Sequence, residues 1–305
     1  MGVPGWLADT VAKAMQRAPG SAKTAPEIAF AEIPAVTQSV TVQTRHGDVA
    51  ATLYAPAGDA AGRGVHINLH GGGFVMRHPE QDDPLCRYLA AHADVTVINV
   101  DYTPAPQLRA PGAIEQALDI ARWASAPERG WDGSRLTIGG ASAGGALAAG
   151  VARLAWEGAG PRIGLQVLLY PPLDLTVPAR AKRRPGTESF LVRLGPFFDK
   201  AYVPDPRRRG DRLVSPAGGG DTRPLDEIAP AVVITCEKDI LRDEGTRYAQ
   251  RLAAAGALRE HIDLPGVGHG FNILGTGRDV VVDVYDRIAG HLRAAFDPDR
   301  DVHRG

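Results

Sequence analysis

Residues 136–145 read L-T-I-G-G-A-S-A-G-G. An apolar, strand-like run passes through Gly140-Ala141-Ser142-Ala143-Gly144 into an Ala-rich helical pattern. A serine spaced this way from two glycines, at a strand-to-helix turn, suits a nucleophile lifted into a site by a sharp, strained backbone. Gly140 and Gly144 leave room where the two backbones crowd together. The helix N-terminus that follows adds backbone donors and a positive dipole end near the serine, and Ala143, the residue after it, supplies one of the N–H groups. Phosphate binding fits poorly, since no Lys follows at the G-x-x-x-x-G-K-[ST] spacing and G-x-G-x-x-G is absent. A second glycine cluster, His70-Gly71-Gly72-Gly73-Phe74, closes another apolar run. Three glycines at a strand exit allow N–H groups to converge on one point, which a carbonyl oxygen turning into an oxyanion requires. His70 reads as a residue that orients this loop.

A serine hydroxyl needs a base, and the base an orienting carboxylate. One established chain order for such a set is serine, acid, histidine. After Ser142 an apolar run at 232–236 leads into Glu237-Lys238-Asp239. Asp239 falls just past the C-terminal end of that run, where open parallel sheets bind ligands. Glu237 is the alternative acid. Asp243 and Glu244 suit the first turn of the next helix, where negative charge complements the dipole. His269 lies in Pro265-Gly266-Val267-Gly268-His269-Gly270-Phe271, a glycine-flanked loop after the next strand. His261 falls inside a strand, His291 in the last helix and His303 in the tail, while His66, His78 and His92 precede the serine.

The elements that must position these groups alternate along the chain. Strand-like runs occupy 36–44, 48–54, 65–70, 95–100, 136–139, 165–170, 232–236 and 261–264. Helical patterns fall at 84–93, 111–124, 142–156, 244–255 and 279–295. The later runs are continuous and apolar, as in V-T-V-I-N-V and A-V-V-I-T-C, which is how strands covered by helices on both faces read. The pattern predicts an α/β fold with a mostly parallel sheet of eight strands, the first pair antiparallel. Residues 176–225 break the alternation with many prolines, Lys182-Arg183-Arg184 and Arg207-Arg208-Arg209. An insertion of that length predicts a lid or active-site wall. The Arg run reads as a solvated loop face. Trp6, Leu7, Val11, Ala14 and Met15 line one face of a short N-terminal helix, expected to pack on the protein.

With 34 Lys and Arg against 35 Asp and Glu, net charge is −1, so nothing electrostatic favours nucleic acid. Cys86 and Cys236 make neither a disulfide framework nor a metal motif, and a reduced, cytoplasmic setting is expected. Neither an export signal nor a bilayer-length apolar stretch is read, so stable membrane insertion is not expected.

H-G-G-G-F at 70–74, G-A-S-A-G-G at 140–145, D-I-L-R-D-E-G at 239–245 and H-G-F at 269–271 stand in one order. Together they resemble the hormone-sensitive-lipase-like branch of the α/β-hydrolases, from about residue 50 onward. Residues 101–107, D-Y-T-P-A-P-Q, look like a degraded form of the family's D-Y-R-L-A-P-E. Thr103-Pro104 and Gln107 depart from that pattern, and Ala141 stands where Asp or Thr is common. The resemblance implies an α/β-hydrolase fold with a helical cap: an N-terminal cap segment at 1–35, core at 36–175, a cap insertion at 176–225 and core again at 226–305. It implies a serine carboxylesterase acting on short- to medium-chain acyl esters, with Ser142, Asp239 and His269 catalytic and no metal or organic cofactor. By the same analogy Gly72, Gly73 and Ala143 form the oxyanion hole. Phe74 and Phe190 are the expected substrate walls, with Trp6, Leu191, Phe197 and Phe198 as further candidates. Rival readings are a metabolite deacetylase acting on O- or N-acetyl groups, a peptide or thioester hydrolase, and a non-catalytic small-molecule binder. The expected partner is a small-molecule ester, and a homodimer through the exposed final strand is a further option.

Overall fold

The computed structural model describes residues 3–17, 24–56, 58, 62–183, 187 and 190–297. Arg184 and His303 fall outside them. The described chain forms one eight-stranded sheet: β1 (Val36–Thr44), β2 (Gly47–Ala55), β3 (Val65–Leu69), β4 (Thr96–Val100), β5 (Leu136–Ala141), β6 (Gln166–Leu169), β7 (Ala231–Cys236) and β8 (Leu258–Leu264). Their spatial order is β1-β2-β4-β3-β5-β6-β7-β8. β1 and β2 form the expected antiparallel hairpin. β2 is also antiparallel to β4, and every later pair is parallel.

The helices are α1 (Gly5–Arg17), α2 (Asp83–Ala93), α3 (Gly112–Ala124), α4 (Ala143–Leu154), α5 (Phe190–Tyr202), α6 (Arg242–Ala254), the single turn α7 (Phe271–Leu274) and α8 (Arg278–Ala295). Alternate residues of the central strands face two cores. Val65, Ile67, Leu69, Ile138 and Val233 pack under α3, α4 and α6. Val95, Val97, Val167, Ile234 and Ile262 pack under α2 and α8. Strands β3 to β7 are buried along their whole length, which explains their unbroken apolar sequences.

Two local expectations change. The run read as a helix from 142 starts at Ala143, and Ser142 stands outside it with φ 51° and ψ −119°. Helix α1 forms and packs on α5. Its buried residues are Ala8 and Ala12, and Met15 packs against the same core as expected, while Trp6 is 71% exposed and Ala14 also faces solvent. The small residues allow the two helices a close approach. Polar contacts fix the seat: Arg109 bonds Asp9 at 2.8 Å, and Gln16 Nε2 donates to the carbonyls of Val75 and Ala105, each at 2.9 Å. Among the described residues, no helix is long and apolar enough to cross a membrane.

Candidate active site

Ser142 leaves the end of β5 in a conformation that L-residues rarely adopt. The surrounding backbone enforces it. Its N–H donates to the Leu169 carbonyl of the neighbouring strand at 2.8 Å, and its own carbonyl accepts from Ala146 at 3.2 Å. A Cβ on Gly144 would lie 1.8 Å from the Leu69 carbonyl oxygen, and one on Gly140 2.3 Å from the same atom. Both glycines are therefore required by contact, as the sequence spacing suggests.

Three loops at the same end of the sheet meet at this serine. His269, after β8, places Nε2 3.0 Å from Ser142 Oγ. Its Nδ1 lies 2.6 Å from Oδ2 of Asp239, which follows β7. Asp239 is fully buried, and its other carboxylate oxygen accepts the Leu241 N–H at 3.0 Å. Tyr170 packs edge-on against the imidazole with ring centroids 4.7 Å apart. The alternative acid Glu237 is exposed and accepts the Gly266 N–H, away from the histidine. Glu244 stands in the first turn of α6 but turns inward to meet the Leu173 N–H at 2.8 Å. The other histidines have separate partners: His66 with Thr137, His261 with Thr235 and His291 with Glu260.

The glycine loop after β3 lies alongside. Gly72 and Gly73 have φ of 128° and 60°, and Gly73 borders the same cavity as Ser142. A Cβ on Gly73 would meet the Phe198 ring at 2.5 Å. Ala143 opens α4, where N–H groups have no intrahelical acceptor. These are the ingredients of a pocket of oriented donors. His70 braces the loop from behind: its Nδ1 lies 2.6 Å from the Gly71 carbonyl, and its ring stacks on Tyr102 at 4.4 Å. Burial pushes the His70 imidazole down to about 4, so it is neutral at neutral pH.

A family model described as the alpha/beta hydrolase fold matches residues 66–273. The chain belongs to the alpha/beta-hydrolase family. Within it, the H-G-G-G and G-x-S-x-G motifs place it in the hormone-sensitive-lipase-like branch. It is 36% identical over 255 residues to ethyl acetate hydrolase of Pseudomonas putida, covering 81% of this chain and 79% of that one. It is 35% identical over 235 residues to the carboxylic ester hydrolase LipN of Mycobacterium tuberculosis, covering 74% of this chain and 61% of LipN. Among solved structures it resembles EstE1, a thermophilic and thermostable carboxylesterase cloned from a metagenomic library. There the TM-score is 0.78 at 30% identity, over 95% of this chain and 96% of that chain.

The departures from the family motifs have local partners in this alpha/beta hydrolase. Thr103 and Gln116 exchange two hydrogen bonds, of 2.8 and 3.1 Å. Gln107 and Gln16 do the same, at 2.7 and 3.1 Å, tying the loop after β4 to α1. Ala141 is simply buried in the second core. Phe74 lines the cavity beside Ser142 and stacks on Tyr202 with centroids 4.0 Å apart. Leu191 and Phe198 line it too. Phe190 stands outside that lining, 43% exposed, with its ring 6.4 Å from the His269 ring. Sequence reasoning missed Lys182 and Asp199, which also line the cavity. Lys182 was visible only as part of the basic cluster Lys182-Arg183-Arg184 in the insertion. The only signal for Asp199 was an acid directly after the apolar pair Phe197-Phe198.

Proposed function

We propose that the chain hydrolyses short- to medium-chain acyl esters through an acyl-enzyme formed on Ser142. The chain is a hydrolase acting on carboxylic esters, a class carried by its family and by relatives named for that activity. One observation carries the residue roles: a single imidazole lies within hydrogen-bond reach of both the Ser142 hydroxyl and the Asp239 carboxylate. In this reading His269 takes the serine proton as Oγ attacks the ester carbonyl. Asp239 holds the ring in the tautomer with Nδ1 protonated and stabilises the imidazolium. The N–H groups of Gly72, Gly73 and Ala143 receive the oxyanion. His269 then protonates the leaving alcohol and activates a water that releases the acid.

The cavity beside Ser142 holds only about 40 Å³, which supports short chains. Residues 1–35 and 176–225 act as the cap in this reading. Its support is the packing of α1 on α5 and the presence of α5 residues Leu191, Gly195 and Phe198 in the cavity wall. Phe74 is part of that wall, and Phe190 guards the outer side of the histidine. A cytoplasmic setting belongs to the same reading, supported by Cys86 and Cys236 standing as buried free thiols. A homodimer pairing at the edge strand β8 is its natural assembly, and sedentary monomer mass in light scattering would contradict it.

The deciding experiment replaces Ser142 with Ala. Hydrolysis of p-nitrophenyl butyrate should fall by at least about 10³-fold, and labelling by a fluorophosphonate probe should disappear. Retained turnover in the folded variant would remove Ser142 from the mechanism.

A further inference from the structure

The cavity beside Ser142 is walled mostly by apolar side chains, yet two charged groups open into it, Lys182 and Asp199. Lys182 is largely committed. Its Nζ meets Glu244 Oε2 at 2.5 Å and donates to the Asp174 carbonyl at 2.7 Å. An ammonium carries three donors, so one N–H remains for the cavity. Asp199 stands differently. Its residue is 8% exposed, and its side chain makes no hydrogen bond or ion pair among the described residues. Burial pushes its carboxyl up to about 6, against the favourable fields of Lys182 and Arg209.

A carboxyl this largely buried, opening onto a small cavity, gives up most of its hydration, and a leucine at that point of α5 would pack without that cost. The partner that would justify it is absent from the chain itself and has access through the cavity. Its chemistry follows from the two groups together. An ammonium would meet Lys182, and a carboxylate would meet Asp199. A neutral group that both donates and accepts satisfies both.

We propose that Asp199 and Lys182 form a hydroxyl subsite, so that the arm of the ester entering this cavity bears a hydroxyl that donates to Asp199 and accepts from Lys182. The proposal rests on the ester-hydrolase reading above and names its substrate class: esters with a short hydroxylated arm. The small volume limits that arm to a few heavy atoms. Either the acyl or the alcohol side can supply it, and the experiment separates the two.

For the acyl side, kcat/KM is compared for the p-nitrophenyl esters of 3-hydroxybutanoic acid and the near-isosteric 3-methylbutanoic acid. For the alcohol side, 2-hydroxyethyl butyrate is compared with propyl butyrate. One of the two pairs should favour the hydroxylated ester by about 10- to 100-fold, the range for hydrogen bonds to charged groups. Asp199→Leu should bring that ratio close to one. Asp199→Asn keeps an acceptor oxygen at nearly the same volume and should lower the ratio only several-fold. If the Leu chain does not fold, the Asn ratio decides. Ratios near one in both pairs for the native chain, or a ratio untouched by these substitutions, would overturn the subsite while leaving the esterase intact. Failure to cleave any of the four esters would overturn the ester reading, and the subsite with it.

Discussion

Ser142 holds a backbone conformation that costs a non-glycine residue about 1–3 kcal/mol. It persists because the turn around it has no other way to close. The Leu69 carbonyl is flanked by Gly140 and Gly144 so tightly that a methyl on either would overlap a backbone oxygen, an atom that cannot swing aside. Gly144→Ala should therefore open the turn or lower the melting temperature by several degrees, as overpacking by about 1–3 kcal/mol does. Fluorophosphonate labelling of Ser142 should fall with it. Gly130 is the control: a Cβ there meets nothing within 4 Å, and Gly130→Ala should be neutral to about 0.5 kcal/mol. Equal melting and labelling for the two variants would contradict the crowding argument.

At the scale of elements, legibility followed burial. Strands β3 to β7 are buried from end to end, so their sequences are continuous apolar runs. Edge strand β8 opens with Leu258-Arg259-Glu260-His261, all partly exposed, and its first three residues carried no strand signal. The pairing of β2 with β4 was not legible either, since register across a crossover is set by packing and not by local pattern. Helix α5 was hidden by Gly195 and Pro196 inside it, where packing overrides propensity. Because α5 was unseen, Asp199 had no face to be assigned to. The motifs that brought Ser142, Asp239 and His269 together were legible because each needs glycine or a strand end at fixed offsets. The seat of α1 on α5 carries its own prediction. Ala12 is 2% exposed, and Ala12→Glu would bury a carboxylate under α1. The helix should detach, shown by early proteolytic cleavage before Val36 and a several-fold rise in KM for p-nitrophenyl butyrate. An unaltered cleavage pattern would mean that α1 is not held through this face.

Across the whole molecule, buried ionisable groups set opposing slopes of stability against pH. Burial pushes Asp82 and Glu244 each up to about 7. The folded chain then keeps protons that the unfolded chain releases above about pH 4, so these groups cost stability as pH rises from about 4 to 7. Burial pushes His66 down to about 3 and His70 down to about 4. Here the unfolded chain binds protons that the folded chain refuses, so stability rises with pH up to about 6.5 and the two slopes oppose each other. Arg212 and Arg153 hold Glu157 down at about 2, which adds stability above the unfolded carboxyl range that is lost as pH falls through it toward 2. Asp82 isolates one slope. Its Oδ2 accepts from Asn68 at 2.9 Å, its Oδ1 has no partner, and Asn68 also donates to Asn99 at 3.0 Å. Asp82→Asn keeps an acceptor toward Asn68 and removes the ionisation. At pH 4, where Asp82 is protonated in the folded chain, the variant should melt near the native temperature. At pH 8 it should melt several degrees higher, because ionising Asp82 costs on the order of a few kcal/mol there. Thermal melts at pH 4, 6 and 8 read the difference directly. A shift of the same size at every pH would place its origin in packing and not in the buried charge.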